Sequence, residues 1–361
     1  MLKKARLIAI AVGTAATLTL TGCASWDDTS TTNAALQEEL REGEAQDPTT
    51  ATGVAHIESL SEVEPVSNNP SPALPVELTD ADGYDVVVND VSRIVALDLY
   101  GTYTKTLRGL GLSDNIVGRT VSSSEESLAD VPSVTAGGHD INVEAVLNLD
   151  PSLVIVDHSI GPRSAIDQIR DAGIPIVVMS PERSINTIGQ DIMNVAGVVG
   201  LPEEGEKLAE RSETELASAR ETIAEIAPED PLRMAFLYAR GTGGVFYILG
   251  SEDGTSDLIE SLGGVDVASE SGVGAASPAS AEALVELNPQ VFVMMSAGLE
   301  STGDVAGLLD RPGVAQTDAG QNQRVLALPD GDSLAFGPQT GEMLLRAAKT
   351  LYLGEDSEGS N

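Results

Sequence analysis

Short apolar runs rich in Val and Ile recur along this chain, each bounded by turn residues. "RIVALD" (Arg93–Asp98), "NIVGRT" (Asn115–Thr120), "SLVIVD" (Ser152–Asp157) and "PIVVMS" (Pro175–Ser180) form a first series. Stretches with helical spacing, such as Tyr103–Leu110 and Arg163–Ala172, separate them. Strands alternating with helices predict a parallel sheet with crossover helices, hence an α/β fold. A second series follows: "RMAFLYA" (Arg233–Ala239), "VFYILG" (Val245–Gly250), "QVFVMMS" (Gln290–Ser296) and "RVLALP" (Arg324–Pro329).

The two series echo each other. "NVEAVLNLDPSLVIVDH" from Asn142 aligns without gaps to "SAEALVELNPQVFVMMS" from Ser280, sharing Glu144 with Glu282, Ala145 with Ala283, Leu149 with Leu287 and Pro151 with Pro289. Each copy reads as a helix, a turn at proline and a buried strand, so two lobes of similar build are expected. Between them, Glu204–Ile226 carries Leu208, Leu216, Ala219, Ile223 and Ile226 on one stripe and ends before Pro228. At 1.5 Å per residue such a helix is roughly 34 Å long, enough to link two small domains. The boundaries that follow are 86–203 for the first lobe, 204–227 for the linking helix and 228–354 for the second lobe, with a disordered tail at 355–361.

The chain begins differently. Lys3, Lys4 and Arg6 precede an apolar stretch, Leu7–Leu20, too short to span a bilayer, and "LTGC" closes it at Cys23, the only cysteine. Residues 1–22 read as an export signal, and the position of Cys23 resembles the lipobox of bacterial lipoproteins, in which this residue is lipidated. Ser25–Asp85 shows no sustained period and has one arginine against fourteen acids, so 23–85 is expected to be a disordered acidic tether, with His56 solvated inside it. The net charge of −36 excludes a nucleic-acid partner, which needs basic patches. It fits an exported soluble surface or an adaptation to salt.

Chemistry-bearing residues are few. His139 stands in "TAGGHDINVEAVL" behind two glycines and ahead of a helix, where it is either a surface turn residue or a ligand facing a cleft. His158 follows the strand "LVIVD" and is its rival. Tyr238 lies near the end of a strand, where open α/β sheets hold ligands, and Arg240 projects to the same side two positions on. Met294 and Met295 stand at the matching strand end, one of them expected to line a pocket. Tyr100, Tyr103 and Tyr247 carry only a packing reading. Enzyme readings fail: "GDSL" (Gly331–Leu334) has no histidine after Ser333, and "GTGG" (Gly241–Gly244) leads into a strand, so it reads as a hairpin turn and not a phosphate loop.

Taken together, the lipobox, the acidic segment, "SRIVALD", the repeated Glu-Ala unit and the single long helix resemble the periplasmic-binding-protein family that serves iron-siderophore, cobalamin and heme importers. "GGHDIN" and "FLYARGTGG" are similar to the actinobacterial hemin-binding lipoproteins of the HmuT type. The resemblance covers Val91 to about Gly354. It implies two lobes of mostly parallel sheets and no enzymatic activity. It also implies a monomer on the outer face of the cytoplasmic membrane that captures ferric hemin (heme b) and passes it to an ABC permease, with cell-surface heme donors as further partners. His139 and Tyr238 would be the axial iron ligands, one from each lobe, with Met295 against the porphyrin. An imidazole and a hard anionic phenolate suit ferric heme, and the permanent charge of Arg240 would support the phenolate. Glu144 and Glu282 would meet the permease, although glutamate in a first helical turn is also favoured by the helix dipole alone. Siderophore or cobalamin binding, and a heme-binding surface module without a permease, are the alternatives.

Overall fold

The computed structural model describes residues 29–57, 60–136, 138–181 and 184–353. The export signal, Cys23, Gly137 and the tail at 355–361 lie outside them. The chain enters through helix α1 (Thr29–Glu42), strand β1 (Val54–His56) and a hairpin of β2 (Val76–Thr79) and β3 (Asp85–Val88). The first lobe follows as β4 (Ile94–Leu97), α2 (Thr102–Gly109), β5 (Ile116–Gly118), the short pair β6 (Thr135–Ala136) and β7 (Asp140–Ile141), α3 (Val143–Asn148), β8 (Leu153–Asp157), α4 (Arg163–Asp171), β9 (Ile176–Met179) and α5 (Ile188–Val198). Its main sheet runs β5-β4-β8-β9 with every neighbouring pair parallel. β4 and β8 are buried along their whole length, as continuous apolar runs require.

Helix α6 (Pro202–Ile226) then connects the lobes, starting two residues before the expected Glu204 because Pro202 fits the first helical position and Glu203 and Glu204 complement the dipole there. Leu208, Leu216, Ala219 and Ile223 are its buried stripe. The second lobe comprises β10 (Arg233–Arg240), β11 (Val245–Ile248), α7 (Thr255–Ser261), β12 (Val265–Asp266), α8 (Val267–Glu270), β13 (Ser277–Pro278), α9 (Ala281–Leu287), β14 (Val291–Met295), α10 (Ser296–Ser301), α11 (Asp304–Leu309), α12 (Asp318–Gln321), β15 (Val325–Leu328) and α13 (Thr340–Tyr352). Its sheet runs β1-β15-β14-β10-β11-β13, with β12 also on β10. β10 and β11 are antiparallel, Arg240 facing Val245, so "GTGG" is the hairpin turn.

The internal repeat is reproduced in detail. Asn142 and Ser280 cap α3 and α9, accepting hydrogen bonds from the amides of Ala145 and Ala283. Past the helices, Asp150 and Asn288 both take the left-handed conformation, at φ 46° and 40°, which short polar side chains tolerate. β8 and β14 then occupy equivalent central places.

The acidic segment differs from the expected tether from Thr29 onward. Leu36 and Leu40 of α1 are buried, and α1 packs on α6 and α13. β1 joins the second-lobe sheet beside β15, leaving His56 exposed on its outer side. The chain then crosses lobes. Ser61 donates from both N and Oγ to Glu342 of α13 at 3.0 Å, Arg108 of α2 donates to the Val63 carbonyl at 2.8 Å, and the Ala81 amide reaches Val178 of β9 at 2.9 Å. A few apolar residues order this segment because the body supplies the surface they bury; their spacing alone shows no helix or strand. The lobes are therefore joined by two covalent crossings, not by α6 alone.

Glu342 is fully buried, and its Oε1 also accepts from Arg346 at 2.8 Å. Glu342→Ala removes the acceptor holding Ser61, with an expected loss of about 2 kcal/mol in urea unfolding and faster proteolysis between residues 57 and 66. Unchanged stability and cleavage would mean that the crossing segment is not fastened there.

A cleft between the lobes as the candidate binding site

The C-terminal ends of the strands of both sheets open into one cleft between the lobes, with a cavity of about 760 Å³. This is where open α/β sheets place ligands, and the size lies within the usual range for small-molecule sites. Leu99, Val121, Leu249, Met295 and Leu334 make much of its wall apolar.

His139 reaches the cleft from the first lobe. It stands with Gly138 in the turn between β6 and β7, whose register pairs Thr135 with Ile141. Gly138 has φ 93°, a conformation open to glycine at little cost. The turn is tied down by its backbone, since the Gly161 amide donates to the His139 carbonyl at 3.0 Å and the Ile141 amide donates to the Gly161 carbonyl at 2.7 Å. The imidazole is exposed and has no hydrogen-bond partner among the described residues.

Tyr238 and Arg240 come from the second lobe. Strand alternation places both on the face of β10 that lines the cleft, while Ala239 between them is buried. Tyr247 on β11 lies directly opposite Tyr238 and lines the cleft as well. The Tyr238 hydroxyl has no hydrogen-bond partner among the described residues. Arg240 does not donate to it: its Nη2 donates to Asp330 Oδ2 at 2.8 Å and lies 3.3 Å from Met295 Sδ, and its Cζ stands 4.9 Å from the Tyr238 ring centroid.

His158 does not face the cleft. β8 ends at Asp157, whose carboxylate accepts from the Tyr103 hydroxyl at 2.7 Å, and the chain then turns His158 to the outside. There its Nε2 lies 2.8 Å from Asp82 Oδ1, the atom that also accepts from Arg163 at 2.7 Å. The hydrogen bond from His158, with the positive charges of Arg163 and Arg170 nearby, holds the Asp82 carboxyl below its ordinary range. His158 thus fastens the β2–β3 hairpin.

Met294 is core and Met295 lines the cleft. Tyr103 is buried as a packing residue, but Tyr100 and Tyr247, which carried only that reading, line the cleft. Asp253 and Asp330 were not anticipated. Asp330 follows the strand "RVLALP", so its place at a sheet edge was readable, but its pairing with a residue ninety positions earlier was not. Glu144 and Glu282 are exposed, each the second residue of its helix. Ser333 of "GDSL" is buried, next to Asp332, which pairs with buried Lys105 of the first lobe at 2.8 Å across the interlobe boundary.

Two similar α/β lobes, a long linking helix and a ligand-sized cleft between them define a solute-binding protein of the kind that serves ABC importers. The chain belongs to the periplasmic binding protein family, which matches residues 94–331. It is 67% identical to a solved structure of the heme binding protein HmuT, which covers 85% of this chain and 100% of that one at a TM-score of 0.83. Variants of that protein with alanine for one arginine, one histidine or one tyrosine have been solved too, at positions numbered two higher there than Arg240, His139 and Tyr238 here. Among named relatives, the uncharacterized ABC transporter substrate-binding lipoprotein YvrC of Bacillus subtilis is 24% identical over 77% of this chain and 86% of its own length. The cobalamin-binding protein of Halobacterium salinarum is 26% identical over 61% of this chain and 58% of its own length.

Proposed function

We propose that this chain is the extracytoplasmic heme-binding protein of an ABC importer, a carrier and not an enzyme, holding ferric hemin in the interlobe cleft for delivery to a permease. The observation that carries the reading is the pair of uncommitted donor side chains, His139 from one lobe and Tyr238 from the other, lining one largely apolar cleft. Porphyrin iron takes one donor on each face, and imidazole and phenolate are both established axial ligands. The apolar wall suits the macrocycle, with Met295 against it. The 67% identity to HmuT, and the agreement in position of its arginine, histidine and tyrosine variants, favour heme over cobalamin, whose named binder is more distant.

For the permease contact, the repeat supplies the support. Glu144 and Glu282 are exposed at matching places on the two lobes, and three residues after each comes an exposed apolar side chain, Leu147 and Val285, again at matching positions. A partner made of two like subunits would meet one such acidic and apolar pair per lobe. Cys23 would carry the lipid that keeps the protein at the membrane; no helix among the described residues is long and apolar enough to cross one.

Three outcomes follow. In hemin titrations, Tyr238→Ala is expected to weaken binding most, by tenfold or more, and His139→Ala to alter the Soret region while binding persists. A wild-type spectrum in the double variant would sink the ligand assignment. Glu144→Ala with Glu282→Ala is expected to leave hemin affinity and fold intact while cellular hemin uptake falls sharply; normal uptake at equal surface abundance returns both residues to the helix-dipole reading. Cys23→Ser is expected to release the protein into the medium or leave it unprocessed, and undiminished membrane retention would count against the anchor.

A further inference from the structure

We propose that Asp330 is a positioning residue for ligand capture, acting through Arg240 on Tyr238; the assignment rests on Tyr238 being an iron ligand. Both carboxylate oxygens of Asp330 are committed. Oδ1 accepts from the Ala297 amide at the start of α10, and Oδ2 accepts from Arg240 Nη2, each at 2.8 Å. The first bond fixes the carboxylate to the sheet edge, and the second fixes the guanidinium to the carboxylate.

The space around the guanidinium is shaped to it. Arg240 Nη1 lies where a side chain on Gly298 would intrude, 2.7 Å from the Cβ that any other residue would place there, and Met295 Sδ closes another side at 3.3 Å. Held in this position, the cation stands over the Tyr238 ring at 4.9 Å, within cation–π range. The ring is thereby steadied by its face while its hydroxyl stays uncommitted, the arrangement a ligand donor needs. Without Asp330, a partly exposed arginine head keeps, among the described residues, its own neighbouring carbonyl and a thioether as hydrogen-bond partners. The rotamers it regains must be lost again on binding, so the donor is less preorganised.

The test is a double-variant cycle on the full chain, read by hemin dissociation rate, affinity and the absorption spectrum of the loaded protein. Asp330→Ala is expected to weaken hemin binding about fivefold, in the range of contacting pairs, to shift the spectrum, and to have no further effect in an Arg240→Ala background. Gly298→Ala, which displaces the guanidinium and leaves Asp330 in place, is expected to reproduce the same spectral shift. If Asp330→Ala disturbs α10, Asp330→Asn carries the same test, since it keeps an acceptor for the Ala297 amide and gives up the ion pair. Additive losses, unchanged binding or tighter binding in the aspartate variants would overturn the proposal, tighter binding by showing that Asp330 withholds the arginine charge and does not place it. A wild-type spectrum in Tyr238→Phe would sink the ligand reading instead, and this arm does not depend on the cycle.

Discussion

One continuous apolar core runs beneath both sheets, and the cleft depends on it. It joins Ile94 and Leu107 of the first lobe, Leu208, Leu216 and Ile223 of α6, Phe236, Val293 and Leu326 of the second lobe, and Leu36, Leu40 and Ile57 of the entering segment. A close-packed interior does not let its parts slide past one another without opening voids. Above it the interlobe boundary is polar but equally fixed, with Lys105 paired to Asp332 and Thr102 donating to the Ala335 carbonyl. The space between the strand ends is therefore set by packing. Such a cleft is formed before a ligand arrives, so little binding free energy goes into assembling it.

That rigidity is exploited unequally by the two lobes. Tyr238 projects from an eight-residue strand with β14 on one side and β11 on the other, so its direction is dictated by the sheet. His139 sits on a turn between two strands of two residues each, held chiefly by backbone bonds to Gly161. A flat ligand between them meets one wall whose donor is fixed and another whose donor is mounted on a small hairpin. Neither lobe alone presents both donors, which makes the relative placement of the lobes the property on which capture rests.

Much of this is legible in the amino-acid sequence. Period and turn chemistry gave the eight apolar runs, the linking helix and the hairpin at Gly241–Gly244, and the echo between Asn142 and Ser280 foresaw two similar lobes, whose match the structure extends to the left-handed residues Asp150 and Asn288. Strand alternation put Tyr238 and Arg240 on one face. Tyr247 could have been added by the same logic, since a hairpin that pairs Arg240 with Val245 must set position 247 opposite 238. The entering segment was illegible for a different reason. Its apolar residues are too few to show a period, and they are ordered by surfaces distant in the chain, those of α2, β9, α6, β15 and α13.

The placement of two charged side chains was the least legible, for one shared cause. Periodicity says which way a side chain leaves the backbone; it says nothing about which opposite charge waits there. His158 leaves the end of β8 as a cleft residue would, yet Asp82 on a distant hairpin turns it outward. Arg240 leaves β10 toward Tyr238, yet its strongest partner is Asp330, and the tyrosine receives its ring-face contact and no hydrogen bond. In a chain of net charge −36, a cation has many possible acceptors, and its few basic groups are placed by tertiary structure more than by local pattern. The same excess of acid makes an arginine in the cleft meaningful: it stays beside the tyrosine because one carboxylate, itself pinned by a backbone amide, holds it there.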